Sequence, residues 1–287
     1  MKYIDFGFVI LNYNTFSETI DCINSIKKSI INDIHYKIVV IDNCSPDESG
    51  RKLQNYFSND DIVLVLKLDE NMGFAKGNNQ GINYLRQKYG CNFICCLNSD
   101  TLMIDKNFIK KIFKEYNKTN AAVIGPKIIM KDNKPLRFHH RLAKKEVYEK
   151  ILLDLKKEYE STSNIKNKSV TKNAQQSIID KLLNIIRYLL IYKKTFNVIL
   201  QGSCLIFTPI FFTKKKGLCE ETFLYREEDI LLIELTKLNL KTEYFPKISI
   251  KHLEDASINT IVKNDLEKRK FNLKNQIDSL EIMLRKM

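Results

Sequence analysis

Four short apolar runs, Phe6–Leu11, Lys37–Ile41, Ile62–Leu68 and Phe93–Leu97, recur through the first hundred residues, separated by helix-length segments with polar faces. Strand-length, β-branched-rich runs alternating with helical segments specify a parallel sheet with crossover helices. Each run also ends in polar residues: Asn12-Tyr13-Asn14, Asp42-Asn43, Asp69-Glu70-Asn71 and Asn98-Ser99-Asp100. Ligands of open α/β sheets bind outside the carboxyl ends of the strands, so four polar strand ends point at one shared site.

Strand texture returns at Leu200–Thr208 and Thr242–Ile250, with a helical stretch from Asp229 to Asn239 between them and a charged, helical tail from Asn264 to Met287. The intervening segment, Lys127–Leu200, is rich in Lys, Asn and Ser. It holds 17 basic and 7 acidic side chains, an excess of ten that accounts for most of the net charge of +13. So local an excess points to a local anionic partner. Within it, Ile178, Ile179, Leu182, Leu183, Ile186 and Leu190 repeat at helical spacing, with Lys181, Asn184, Arg187, Lys193 and Lys194 elsewhere on the wheel. Residues 178–194 therefore read as a basic amphipathic helix, whose apolar stripe either covers the core or docks on an anionic membrane surface.

Several classes are disfavoured. The seven cysteines fall at irregular spacings, five inside or beside apolar runs, as buried free thiols do in a reducing compartment. Adjacent Cys95 and Cys96 would face opposite sides of a strand, which leaves no zinc knuckle and no CxxC pair. Asp5 interrupts the first apolar run, which reads as a strand and not as a signal segment. No uncharged apolar stretch approaches the roughly 18 residues of a spanning helix, so a soluble or peripheral, cytoplasmic protein is expected. The charge and the 29 Tyr and Phe residues raise nucleic-acid binding, but the aromatics sit in apolar runs and the charge is segregated from the strand ends. No nucleic-acid partner is expected. A dehydrogenase would need a glycine fingerprint after the first strand, where this chain has Asn12-Tyr13-Asn14-Thr15-Phe16.

Three segments carry chemistry. Asp100 follows a strand with Asn98 two residues before it on the same face, a carboxylate able to hold a hard divalent cation together with diphosphate oxygens; as a bare motif, an Asp there is also a common turn or cap. In Asn71-Met72-Gly73-Phe74-Ala75-Lys76-Gly77-Asn78-Asn79, two glycines permit close backbone approach before a helix starting near Ala75, and Lys76 is placed to reach a phosphate. In Phe223-Leu224-Tyr225-Arg226-Glu227-Glu228-Asp229, three carboxylates enter a helix. They either complement its dipole or include a general base for an acceptor hydroxyl. His252 is a further metal ligand or a packed histidine.

Ile10 to Asn14, Ile41 to Asp47, Asn71 to Asn79, Leu97 to Thr101, Phe223 to Asp229 and Lys251 to Ser257 together resemble the ordered motif series of the glycosyltransferase family 2 enzymes. The chain is similar in particular to bacterial members that build rhamnose-containing or capsular polysaccharides. The resemblance implies an α/β GT-A fold (Rossmann-like, with a mostly parallel sheet flanked by helices) and an inverting mechanism. It also implies a nucleoside-diphosphate sugar donor with Mg²⁺ or Mn²⁺, and a saccharide or polyprenyl-linked acceptor. It would place Tyr13 against the nucleobase, Asp42 on the base or ribose, and Asp100 and His252 on the metal. Asn12, Asn14, Asn71, Gly73, Lys76, Asn78, Asn98, Ser99 and Gly202 would complete the donor site. Asp229, with Glu228 second, matches the catalytic base. The organisation it implies is a single domain over 1–287. Within it, 1–130 form the donor half, 131–200 a basic helical insertion, 201–260 the acceptor half and 261–287 a C-terminal helix. A non-catalytic partner subunit is the alternative, against which the retained Asp100, Glu228, Asp229 and His252 argue.

Overall fold

The computed structural model describes residues 4–30, 34–136, 141–164, 191–253 and 265–287. The first half runs β1 (Phe6–Asn12), α1 (Phe16–Ser29), β2 (Tyr36–Asp42), α2 (Ser49–Tyr56), β3 (Val63–Lys67), α3 (Gly73–Tyr89) and β4 (Ile94–Asn98). It continues through β5 (Thr101–Met103), α4 (Phe108–Thr119), β6 (Val123–Ile129), α5 (Lys145–Asn164), β7 (Thr195–Phe196), β8 (Cys204–Phe207) and α6 (Pro209–Phe212). The chain ends with α7 (Glu227–Lys237), β9 (Thr242–His252) and α8 (Asp265–Lys286). The strands form one sheet in the order β3-β2-β1-β4-β8-β6-β9-β5, with β7 against β9. As the alternating pattern requires, β1 to β4 are all parallel, and their register places Asn12 opposite Asp42 and Leu11 opposite Asn98, so the polar strand ends share one edge. Past β4 the sheet becomes mixed: β8 runs antiparallel to β4 and β6, while β9 runs parallel to β6 and antiparallel to β5 and β7.

Alternate residues of each strand feed two cores. Phe6, Phe8, Ile10, Ile38, Val40 and Cys95 pack with α1, α2 and α4, while Val9, Val39, Ile41, Ile94 and Cys96 pack with α3, α6 and α7. Cys95 and Cys96 thus face opposite layers, and all seven cysteines are free.

Glycines at four-residue spacing seat α3 directly on β1. A Cβ at Gly77 would lie 2.6 Å from Leu11 Cδ1, and one at Gly81 would lie 2.5 Å from Val9 Cγ1. One turn later the roles reverse, and Leu85 fills the space over Gly7. Gly73 starts the helix two residues before the expected Ala75. Its φ of +78° is readily accessible only to glycine, and its Cα faces the Phe223 backbone.

The insertion is attached at both described ends. α5 packs along α8 and onto α7 through Tyr148, Ile230, Ile233, Leu280 and Met283. On the return, Tyr244 Oη donates to the Ile191 carbonyl at 2.7 Å, and Lys194 Nζ lies 2.6 Å from Glu115 Oε1 and 3.8 Å from Glu243 Oε1. Lys193 and Lys194, expected on the amphipathic helix, lie outside it in irregular backbone, because the chain there is already turning into β7. The Lys194 charge is spent on two buried carboxylates, not on an external anion. Residues 178–190 of that expected helix, and the Glu254 to Ser257 part of the last motif, lie outside the described residues. Among the described residues no helix is long and apolar enough to cross a membrane.

Candidate active site

A cavity of about 180 Å³ opens at the carboxyl edge of the parallel strands. The end of β1 contributes Leu11 and Tyr13, the end of β2 Asn43, and the end of β4 Asn98, Ser99 and Asp100. The α3 turn adds Asn71, Gly73 and Phe74, and the loop before α7 closes the wall with Phe223 and Leu224. That loop is held on the turn by the Phe74 N–H, which donates to the Phe223 carbonyl at 2.8 Å.

Beneath the cavity lies a buried polar network. Asn12 Nδ2 donates to Asp42 Oδ1 at 2.7 Å and to Ser49 Oγ at 2.9 Å, while Asn12 Oδ1 accepts from Thr19 Oγ1 at 3.0 Å. Asp42 also accepts from Ser45 Oγ at 2.5 Å, and the Asn14 N–H donates to the same Ser45 Oγ at 3.0 Å. Asn12 and Asp42 are therefore buried posts under the strand edge and do not line the cavity. Asn43 is the hub that sequence reasoning missed as a site residue. Its Nδ2 donates to Asn71 Oδ1 at 2.8 Å and to the Gly73 carbonyl at 3.2 Å, and its Oδ1 accepts the Met72 N–H at 2.9 Å. The only signal for it was its place after β2. Asn78 Nδ2 donates to the Phe74 carbonyl at 2.9 Å, and its buried Oδ1 has no hydrogen-bond partner among the described residues. Lys76 does not line the cavity. Phe74, Phe223 and Leu224 were also missed as cavity walls, since nothing local in the sequence marks them.

Asp100 and His252 are 152 residues apart and adjacent in space, with His252 Nε2 3.1 Å from Asp100 Oδ1. The β5–β9 pairing places Thr101 opposite His252, and the Leu253 N–H donates to the Asp100 carbonyl at 2.9 Å. No group of three or more His, Cys, Asp or Glu able to hold a metal ion occurs among the described residues. One carboxylate and one imidazole fit a cation that takes its remaining oxygens from a diphosphate and water, and the buried His252 Nδ1 has no hydrogen-bond partner among the described residues.

The acidic run sorts its three carboxylates differently. The Asn98 N–H donates to the Ser203 carbonyl at 3.1 Å, which sets Gly202 beside the end of β4. A Cβ at Gly202 would overlap the Glu228 carboxylate, which accepts the Gly202 N–H. Burial, and then the neighbouring Asp229 charge, push Glu228 up to about 7. Burial and the Glu228 charge push Glu227 up to about 8. Asp229 accepts from Arg226 Nη1 at 3.4 Å and reaches Tyr148 of α5, so it ties α7 to the insertion. Tyr225 and Arg226, just before the helix, both hold left-handed backbone, with φ of 75° and 65°. Strain of this kind, about 1–3 kcal/mol per residue, is typically retained at functional sites. The arrangement offers an amide-rich cavity, a paired carboxylate and imidazole at its edge, and a carboxylate, Glu228, pushed up to about 7.

Comparison with known proteins identifies the fold and the family. A 100-residue stretch is 32% identical to the low-salt glycan biosynthesis hexosyltransferase Agl10 of Haloferax volcanii, covering 35% of this chain and 31% of that protein. Another, of 116 residues, is 27% identical to glycosyltransferase GlyG of Streptococcus pneumoniae, covering 40% and 36%. These matches span about a third of the length of either relative. The fold matches S. aureus TarS 1-349 with a TM-score of 0.54 at 15% identity, over 87% of this chain and 60% of that one. The complex of TarS 1-349 with UDP-GlcNAc matches equally, at 14% identity over 90% and 62%. The fold is thus GT-A, and the model of the family described as glycosyl transferase family 2 matches residues 8–195, well over half of the 287. The chain belongs to glycosyl transferase family 2.

Proposed function

We propose that the chain transfers a sugar, with inversion, from a nucleoside-diphosphate sugar to a saccharide or lipid-linked saccharide acceptor in cell-surface polysaccharide synthesis. The reaction is assigned to the cytoplasmic side of the membrane, where the protein is soluble or peripherally bound. The observation that supports this reading is the contact of the Asn98 N–H with the Ser203 carbonyl and of Gly202 with Glu228, beside the Asp100–His252 pair that follows the same strand.

In this reading Tyr13 lies against the nucleobase and the Asn43–Asn71–Gly73 turn receives the donor through backbone and amide groups. Asp42 acts from beneath by fixing Asn12 and the strand edge. Asp100 and His252 are the residues that would hold Mg²⁺ or Mn²⁺, a cation that offsets charge on the departing diphosphate. Glu228 takes the proton of the acceptor hydroxyl as its oxygen bonds to the anomeric carbon, and the bond from that carbon to the diphosphate oxygen breaks on the opposite face. One displacement inverts the centre. Glu228 is preferred to Asp229 because it sits against Gly202 with a titration point near neutral pH, where a general base is most effective, whereas Asp229 is engaged by Arg226 and Tyr148. The named TarS complexes with UDP-GlcNAc and UDP support a nucleotide-sugar donor.

The test is a thermal-shift panel of UDP, GDP, CDP and dTDP, each with and without Mn²⁺. A ligand that binds only the folded state raises Tm. A metal-enhanced rise with one nucleotide is expected and names the donor class; no rise with any of them sinks the donor-site assignment.

A further inference from the structure

A second cavity, of about 280 Å³, lies against α3 and shares no lining residue with the donor cavity. Asn79 and Asn83, one turn apart on α3, form one wall; the Lys214–Leu218 loop that follows α6 forms the other, together with Glu220. Lys214 and Lys216 are exposed, and among the described residues neither has a carboxylate within ion-pair distance. Lys215, between them, is instead paired with Glu234 of α7. The loop is held in place: Asn79 Nδ2 donates to the Leu218 carbonyl at 3.0 Å and to Glu220 Oε1 at 2.9 Å, and the Leu218 N–H returns a bond to Asn79 Oδ1 at 2.8 Å. Gly217 passes so close to Asn79 that a Cβ would overlap its amide oxygen.

Two ammonium groups without a carboxylate partner among the described residues outweigh the one Glu220 carboxylate, which is already bonded to Asn79, and leave the concavity net positive on a backbone that side-chain hydrogen bonds fix before any ligand arrives. Asn79 itself is six residues along α3 from Gly73, about 9 Å at 1.5 Å per residue. The same loop continues into Phe223 and Leu224, which wall the donor cavity, and then into Glu228. The pocket thus lies outside the nucleotide's cavity and is joined to its wall and to Glu228 by one continuous stretch of chain.

We propose that this cavity is an anion subsite for the acceptor. Lys214 and Lys216 hold a phosphate or carboxylate group carried by the acceptor, while a neutral hydroxyl of the same molecule is presented to Glu228. The assignment to the acceptor rests on the glycosyl-transfer reading above; the anion site itself does not.

Inorganic phosphate and glucuronate are titrated separately into the full chain without nucleotide, following the amide resonances of Gly217 and, as a control, Gly73. Saturable movement of Gly217 with either probe, weakened tenfold or more in a Lys214→Gln/Lys216→Gln double variant and restored by Arg at both positions, is expected. Phosphate alone identifies a phosphodiester-bearing acceptor, and glucuronate alone a uronic-acid one. No saturable movement with either probe, or equal affinity in the double variant, overturns the site. The double variant should keep the wild-type Tm and the wild-type nucleotide response. If the wild-type chain itself fails to respond to every nucleotide, the transfer reading falls while the phosphate titration remains interpretable.

Discussion

The two sides of the site are built from different chemistry. The donor side is a lattice of neutral amides: Asn12, Asn43, Asn71, Asn78 and Asn98 bond to backbone, hydroxyl, amide and carboxylate partners around the strand ends and the α3 turn. The opposite side carries Glu227 and Glu228, held above the usual carboxylate range by burial and then by a neighbouring carboxylate, Glu228 for Glu227 and Asp229 for Glu228. Amides keep their donors and acceptors at every pH, whereas crowded carboxylates respond to it. Apart from Asp42 beneath the strand edge, the donor side takes its shape from groups that do not titrate.

The sharpest break of this division is at Glu228. Glu228→Gln should lower transfer by about 10²–10⁴-fold, as loss of a general base does, and leave the nucleotide-induced rise in Tm intact. Asp229→Asn should cost less than about tenfold in rate, because it loosens the Tyr148 contact without removing the base. If the two variants rank the other way, the base is Asp229.

On the amide side the largest effect is mechanical. Gly73→Ala forces a side chain into left-handed backbone against the Phe223 carbonyl and should cost about 3 kcal/mol in urea unfolding. A loss below about 1 kcal/mol would mean that the turn is not rigid.

Next comes pH. Glu228 and Glu243 stand near 7 and Glu227 near 8 in the folded chain, against 4.5 for an ordinary glutamate, so the folded state binds more protons than the unfolded one between those values. The stability they contribute is full at the acid end and is lost as pH rises through 7 to 8. Tm should therefore fall from about pH 4.5 to pH 8 and level off above it, while transfer rises as Glu228 loses its proton near 7. Glu243→Gln should flatten the Tm slope and leave the rate profile in place; a slope unchanged by that substitution would assign the titration elsewhere.

The smallest expected effect is Lys194→Met, about 1 kcal/mol. The ammonium offsets Glu115 and Glu243 but is still 41% exposed, which weakens the pair below the value of a fully buried one. No change in Tm would remove Lys194 as an anchor of the insertion.

Much of this was legible locally. Strand runs of β-branched residues with polar ends set β1 to β4 and the common edge, since period and burial act within a few residues. The order of the acidic run was not, because the choice between Glu228 and Asp229 depends on Gly202, more than twenty residues upstream, and on Tyr148 in another element. Lys194 read as part of a basic face because its partners stand 79 residues before it and 49 after it, in Glu115 and Glu243. Gly73 and Gly77 were read as a turn for anions, and the missing half of their meaning lay in Phe223, 150 residues after Gly73, and in Leu11, 66 residues before Gly77.

Seating α3 on β1 without intervening side chains also governs how error travels. Where two elements meet through long side chains, a misfit is absorbed by rotamer changes and fades within a layer. Here the contact is backbone against side-chain tips, and the helix behaves as a beam clamped at Gly7 by Leu85 and ending at the cavity in Gly73. Those ends are twelve residues apart, about 18 Å. A single added methyl at Gly7, far from any ligand, would tilt that beam and move the nucleotide's doorway as one piece.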